Sequence, residues 1–167
     1  PLQPPVAAVN ANADWDKWSP RLGAQYRFTD DLMAYASYSQ GFKSGGFFGR
    51  ITSGSNVRKF NPEQVDTYEI GVKSTWWDQR LRANGAIFSS DYKDKQEEII
   101  VANADGNVDT AVTNAADATM DGAELEVSAI LFEGLTAFVQ GGYLDASFDE
   151  FLIEDLPGVP EDGSDLD

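Results

Sequence analysis

Apolar and polar residues alternate along most of this chain. From Arg21 to Phe28, Leu22, Ala24, Tyr26 and Phe28 share one face, and Arg21, Gly23, Gln25 and Arg27 the other. From Thr67 to Trp77, Tyr68, Ile70, Val72, Ser74 and Trp76 oppose Thr67, Glu69, Gly71, Lys73 and Thr75. From Gly122 to Ala129, Ala123, Leu125, Val127 and Ala129 oppose Gly122, Glu124, Glu126 and Ser128. A helix would bury Arg or Glu at this spacing. A strand separates the two sets, because successive side chains point to opposite sides of a sheet. Three more segments alternate less cleanly. Leu32 to Phe42 offers either Leu32, Ala34, Ala36 and Tyr38 or Met33, Tyr35 and Ser37 as its apolar face. Leu81 to Tyr92 sets Leu81, Ala83, Gly85 and Ile87 against Arg82, Asn84 and Ala86, with Phe88 breaking the rule. Leu135 to Phe148 sets Leu135, Ala137, Val139, Gly141 and Tyr143 against Thr136, Phe138, Gln140 and Gly142. The pattern predicts six strands.

The connections say more than the strands. Thr29-Asp30-Asp31, Asp78-Gln79-Arg80 and Glu133-Gly134 make tight turns within pairs. Long connections, Lys43 to Pro62 and Lys93 to Ala115, run between pairs, and an acidic tail covers 149–167. The expected fold is all-β. Residues 1–148 form an antiparallel up-and-down meander of about six strands, part of a larger transmembrane β-barrel. Short turns at one end and long loops at the other are the habit of outer-membrane barrels, with the loops extracellular. Such strands need about 9–11 residues and carry an apolar band about 25 Å tall between aromatic girdles. Trp18 and Phe28 lie at the two ends of the first apolar face, and Tyr68 and Trp76 bracket the third. Leu22, Tyr26, Ile70, Val72, Leu125 and Val127 are expected on the convex, lipid side, with Glu69, Lys73, Glu124 and Glu126 on the concave side. A secreted β-sandwich, such as an adhesin, alternates too and is one alternative; a passive porin or structural barrel is another.

Charge and composition then narrow the chemistry. The 167 residues hold 28 Asp and Glu against 12 Lys and Arg, a net charge of −16, which argues against nucleic acid as a partner. With no His and no Cys, the chain lacks Ser–His and Cys–His dyads, His-ligated zinc, the usual haem ligand, disulfides and iron–sulfur clusters. Neither a cofactor nor an enzymatic activity is expected. No run approaches 18 apolar residues, and Pro1 to Val9 lack the basic start and apolar core of a signal peptide. Aromatics at 12% and 15 Gly lean toward β structure. A mean hydropathy of −0.35 fits an amphipathic sheet.

Five phrases occur in register: Trp15-Asp-Lys-Trp-Ser-Pro-Arg-Leu-Gly; Tyr35-Ala-Ser-Tyr-Ser-Gln-Gly-Phe-Lys-Ser-Gly-Gly-Phe; Phe60-Asn-Pro-Glu-Gln-Val-Asp-Thr-Tyr-Glu-Ile-Gly-Val-Lys-Ser; Leu81-Arg-Ala-Asn-Gly-Ala-Ile-Phe to Asp91-Tyr-Lys-Asp; and Asp121-Gly-Ala-Glu-Leu-Glu. In order and spacing they resemble the middle of the barrel of TonB-dependent outer-membrane receptors, over about Trp15 to Phe148. The resemblance implies an integral outer-membrane protein of a Gram-negative bacterium that takes up scarce, bulky nutrients. Ferric siderophores are the foremost of these, and uptake is energised by the TonB complex. It implies a barrel of 22 strands with a plugged lumen, of which this chain would supply six. The plug, through which TonB acts, is not in this sequence, so a fragment is expected. Lipid and lipopolysaccharide are implied as the surroundings.

The residues themselves offer a few candidate sites. Between Lys43 and Pro62 stand Lys43, Arg50, Arg58 and Lys59 with no acid, interleaved with Phe47, Phe48 and Phe60. Cations and rings together suit an anionic, partly apolar ligand such as a ferric siderophore. The alternative is a solvated loop whose cations pair with acidic neighbours or lipopolysaccharide phosphates. Within the phrase from Gly41 to Phe47, glycines are expected to supply positive φ at the strand end. Gly71 and Gly122 are expected to leave room in the lumen. Asn103, Asp105, Asn107 and Asp109 alternate like a calcium loop, but Gly106 and the absence of a closing Glu depart from that pattern. A hairpin turn at Asp105-Gly106, between Ile99–Val101 and Val108–Val112, is the better reading, so no metal site is expected. The pairs Glu97-Glu98 and Glu124/Glu126 lie along single strands. They lack the facing geometry of glycosidase carboxylates, and salt bridges are their expected role.

Overall fold

A computed structural model describes residues 10–48, 59–102 and 108–151. The alternating segments form β1 (Arg21–Thr29), β2 (Leu32–Lys43), β5 (Glu63–Trp76), β6 (Leu81–Ala102), β7 (Val108–Phe132) and β8 (Leu135–Phe151). They build one six-stranded sheet in the order β1-β2-β5-β6-β7-β8, every pair antiparallel. A separate two-residue ladder, β3 (Gly46–Phe47) with β4 (Lys59–Phe60), lies inside the first long connection.

Register fixes the faces. Leu22, Tyr38, Tyr68 and Ser89 fall in one row, and Ala36, Ile70, Ile87 and Ala123 in the next. Ala34, Val72, Gly85 and Leu125 follow. The opposite face carries Lys73 beside Met33 and Asn84, with Glu126 next along. Ile70 and Lys73 therefore point to opposite sides, as the alternation predicted. For β2 the register decides between the two candidate faces: Leu32, Ala34, Ala36 and Tyr38 join the apolar side. The polar side is the concave one, with a hollow of about 490 Å³ over Tyr35, Lys73, Asn84, Glu124, Glu126 and Gln140.

Among the described residues this sheet has no second layer. Leu22 is 67% exposed, Ile70 58% and Val139 72%. Among the described residues the buried apolar side chains are Ala115, Ala116 and Ala118. A sandwich would bury one apolar face against a second sheet, and the two-residue β3–β4 ladder is too small to serve. The apolar face instead has girdles. Tyr38 and Tyr68 meet with ring centroids 5.1 Å apart. Tyr68 and Trp76 are eight residues apart on β5, about 26 Å along the strand at about 3.3 Å per residue. Just beyond Tyr68 the same face turns polar: Asp66 accepts hydrogen bonds from Tyr38 (2.6 Å), Gln40 (2.8 Å) and Gln64 (3.0 Å).

Several expectations are corrected. The connection Lys93 to Ala115 is not a loop. β6 runs on to Ala102 and β7 starts at Val108, paired from Lys95↔Ala116 to Ala102↔Val108. This two-stranded arm carries the anticipated hairpin pairing, with Asp109 opposite Val101, while the turn at 103–107, with Asn103, Asp105 and Asn107, lies outside the described residues. Asp149, Glu150 and Phe151 belong to β8 rather than to a loop; the rest of the tail is also outside the described residues. The strand expected over 67–77 begins earlier, at Glu63, and ends at Trp76. Trp77, Asp78 and Gln79 follow with φ of 55°, 54° and 66°, a left-handed turn unusual for residues with a Cβ. The Arg80 guanidinium steadies it by donating to the carbonyls of Ile130 (3.0 Å) and Leu131 (2.9 Å) at the end of β7.

The glycines are corrected too. Gly71 and Gly122 do face the concave side, but the space above them is occupied. A Cβ on Gly71 would sit 2.5 Å from the Tyr35 ring, and one on Gly122 would collide with the tip of the Phe88 ring. This explains why Phe88 departs from the alternation: its ring turns inward to cover a neighbour without a side chain.

Candidate ligand-contact site at the long-arm end

Short turns close one end of the sheet, and the candidate residues gather at the other. The β3–β4 ladder rises from the tops of β2 and β5. Its glycines do not adopt positive φ; among the described residues the one glycine that does is Gly134, at 85°. Gly45 and Gly46 are there for close approach. A Cβ on Gly45 would strike the Phe60 carbonyl and come within 2.7 Å of the Trp15 ring, and one on Gly46 would lie 2.6 Å from the Phe60 ring.

Trp15 is the residue that the local pattern did not single out as a site. Its ring lies against the ladder, 6.2 Å from Phe47 between centroids, with the Lys59 ammonium 5.4 Å from the Trp15 centroid. The chain thus brings together Trp15, Phe47 and Lys59, two rings and a cation. Phe48 is half-buried beside them in sequence. Lys43 is directed elsewhere: it faces Glu63 in the register and pairs with it at 3.8 Å. At 62% side-chain exposure that pair is weak, and Lys43 keeps its access to solvent. Arg50 and Arg58 lie outside the described residues.

The base of the loop is held by β6 and β7. Gln96 and Asn114 are direct cross-strand partners. The Asn61 N–H donates to Asn114 Oδ1 (2.7 Å), and Asn114 Nδ2 donates back to the Asn61 carbonyl (2.9 Å). Gln96 Nε2 donates to the carbonyls of Ser44 and Asn61, both at 3.0 Å. Glu63 accepts from the Gln96 N–H at 2.8 Å. The two register shifts of the arm lie here, between Tyr92 and Lys95 and between Lys95 and Gln96. Lys95 pairs with Glu97 and lies over the Phe148 ring, 5.4 Å from its centroid. Glu97 thus has a nearby cation, while Glu124 and Glu126 remain on the concave wall. Among the described residues no group of three or more carboxylates could hold a metal ion.

A single-layer antiparallel sheet, apolar on its convex side, with girdled strands and asymmetric ends, is a segment of a β-barrel wall. The family described as TonB dependent receptor-like, beta-barrel matches residues 3–165, and the chain belongs to it. Similar proteins include the ferripyoverdine receptor of Pseudomonas aeruginosa, 31% identical over 130 residues, 76% of this chain and 15% of that protein. The catecholate siderophore receptor Fiu of Escherichia coli K12 is 31% identical over 100 residues, 56% of this chain and 13% of that protein. Among solved structures, the ferric yersiniabactin uptake receptor FyuA from Yersinia pestis superposes with a TM-score of 0.66 at 26% identity, covering 79% of this chain and 19% of that one. The chain therefore spans a small part of its relatives' length.

Proposed function

We propose that this chain is a wall segment of an outer-membrane active transporter for scarce nutrients, most directly ferric siderophores. Uptake is energised by TonB through a plug seated against the concave face. The protein is integral to the outer membrane of a Gram-negative bacterium, with lipid and lipopolysaccharide around the convex face. It is a receptor and carrier rather than an enzyme. One observation carries the ligand reading: a cation and two rings, Lys59 with Trp15 and Phe47, clustered at the long-arm end of a chain of net charge −16. The names of the relatives, a ferripyoverdine receptor and a catecholate siderophore receptor, agree with it.

The test uses the full-length receptor in cells with and without TonB, with ferripyoverdine, a ferric catecholate and ferric yersiniabactin as probes. TonB-dependent uptake of at least one is expected; uptake of none, or equal uptake without TonB, overturns the reading. Replacing Arg50, Arg58 and Lys59 with Ser is expected to weaken capture without disturbing barrel assembly, because all three lie in the connection between β2 and β5 rather than in the strands of the six-stranded sheet. Raised salt should mimic the substitution, since exposed charges are screened over about 8–10 Å near physiological ionic strength. Equal binding by wild type and triple variant at low and high salt would assign these cations to a solvated loop.

A further inference from the structure

We propose that Gln96 and Asn114 are positioning residues that lock the base of the 44–61 loop to the β6–β7 arm, so that the arm sets the pose of the ligand-contact residues. The proposal rests on reading that loop as the ligand contact. Among the described residues the loop's own ladder has two residue pairs, Gly46↔Phe60 and Phe47↔Lys59. A ladder that short does not hold itself in water. What it lacks is supplied from outside. The Asn114 amide offers one donor and one acceptor in a plane, as a peptide group does. It takes both the N–H and the carbonyl of Asn61 (2.7 and 2.9 Å), the two bonds a neighbouring strand would make. Gln96 spans the loop's two ends, Ser44 and Asn61.

The clamp also reaches the place where the arm departs from regular pairing. Asn114 Nδ2 donates to the Asp94 carbonyl at 2.7 Å, and Asp94 has a φ of 53° at the register shift. The Asp94 N–H donates to Asp117 at 3.0 Å. Bulge, arm and loop base are thus one hydrogen-bonded unit. The arm is held by its own ladder, from Lys95↔Ala116 to Ala102↔Val108, so the loop base is the party that depends on the clamp.

The experiment places spin labels on the full-length receptor at Lys59→Cys and Ile100→Cys. The chain has no native Cys, and any elsewhere in the receptor are replaced. A narrow distance distribution is expected, broadening at least about twofold when Gln96→Ala and Asn114→Ala are combined. Asn114→Asp keeps the shape but loses the donor, and it should broaden the distribution as Asn114→Ala does. A second pair, Ile100→Cys with Tyr143→Cys, reports on the arm itself and should stay unchanged. An unchanged 59–100 width overturns the proposal. So does broadening of the 100–143 pair, which would mean that the amides hold the arm rather than the loop. Ferripyoverdine binding, measured on unlabelled receptor, should weaken about tenfold in the double variant through lost preorganisation. If the wild type binds none of the three ferric probes, the ligand reading fails, while the label distances still decide the clamp.

Discussion

Val72→Arg in the full-length receptor is expected to cost about 2–4 kcal/mol of membrane-embedded stability, the range for an arginine facing lipid at midplane. Val72 lies midway between the girdle residues Tyr68 and Trp76, in a row with Ala34, Gly85 and Leu125, and the row has no polar neighbour to receive a guanidinium. The adjacent position is the control. Lys73→Arg keeps a cation on the concave side beside Asn84, where it already lies 5.5 Å from the Tyr35 ring centroid, and should be nearly neutral. Unfolding by urea from lipid vesicles, with the heat-modifiable fraction in outer membranes as a second readout, separates the two. Equal losses at 72 and 73 would show that the faces are wrongly assigned.

Gly122→Ala is the second large effect. The added methyl collides with the Phe88 ring, which must leave its seat. Overfilling a packed position costs about 1–3 kcal/mol. Gly85→Ala, whose nearest contacts would be 3.7 and 3.9 Å away, should be tolerated. The diagnostic is a double-mutant cycle. Phe88→Ala loses the ring's contacts but removes the obstacle, so the Gly122→Ala, Phe88→Ala pair should fall short of the summed losses by about 0.5–3 kcal/mol. Additive losses would mean that the ring and the glycine do not depend on each other.

These faces were legible because a period of two survives wherever pairing is regular. Tyr68, Ile70 and Val72 declare their side without any neighbour being known. Legibility ended where the register shifts. Between Tyr92 and Gln96 the pairing shifts twice, so a fixed parity carried past Tyr92 mislabels every residue beyond it. The arm therefore read as a loop. The glycines show a different limit. Gly45 and Gly71 could have meant backbone freedom, open space or a ring lying close, and the letter is the same for all three. Phe88, odd within its own strand, was the visible half of the pair it forms with Gly122.

The site was legible only in its chemistry. Lys43, Phe47 and Lys59 stood out as cations and rings in an acidic chain, but what surrounds them comes from far along it. Asn114 is 53 residues from Asn61, and Gln96 is 52 from Ser44. No local pattern marks two amides as a clamp, since Asn and Gln are ordinary on an exposed strand. Trp15 lay within a recognised phrase, yet nothing nearby in sequence assigned it to the Gly45 backbone.

Strand order in the sheet follows chain order throughout, with β3 and β4 set aside. From β2 to β7 each long strand thus pairs with the long strand just before it and the one just after it. Closing each connection costs entropy that grows only with the logarithm of its length, whatever the width already built. Pairing in this sheet is thus wholly local in strand order. A fault in β5 therefore touches β2 and β6 directly and reaches β7 and β8 only through β6. A lesion in this wall is therefore felt first by the two strands beside it.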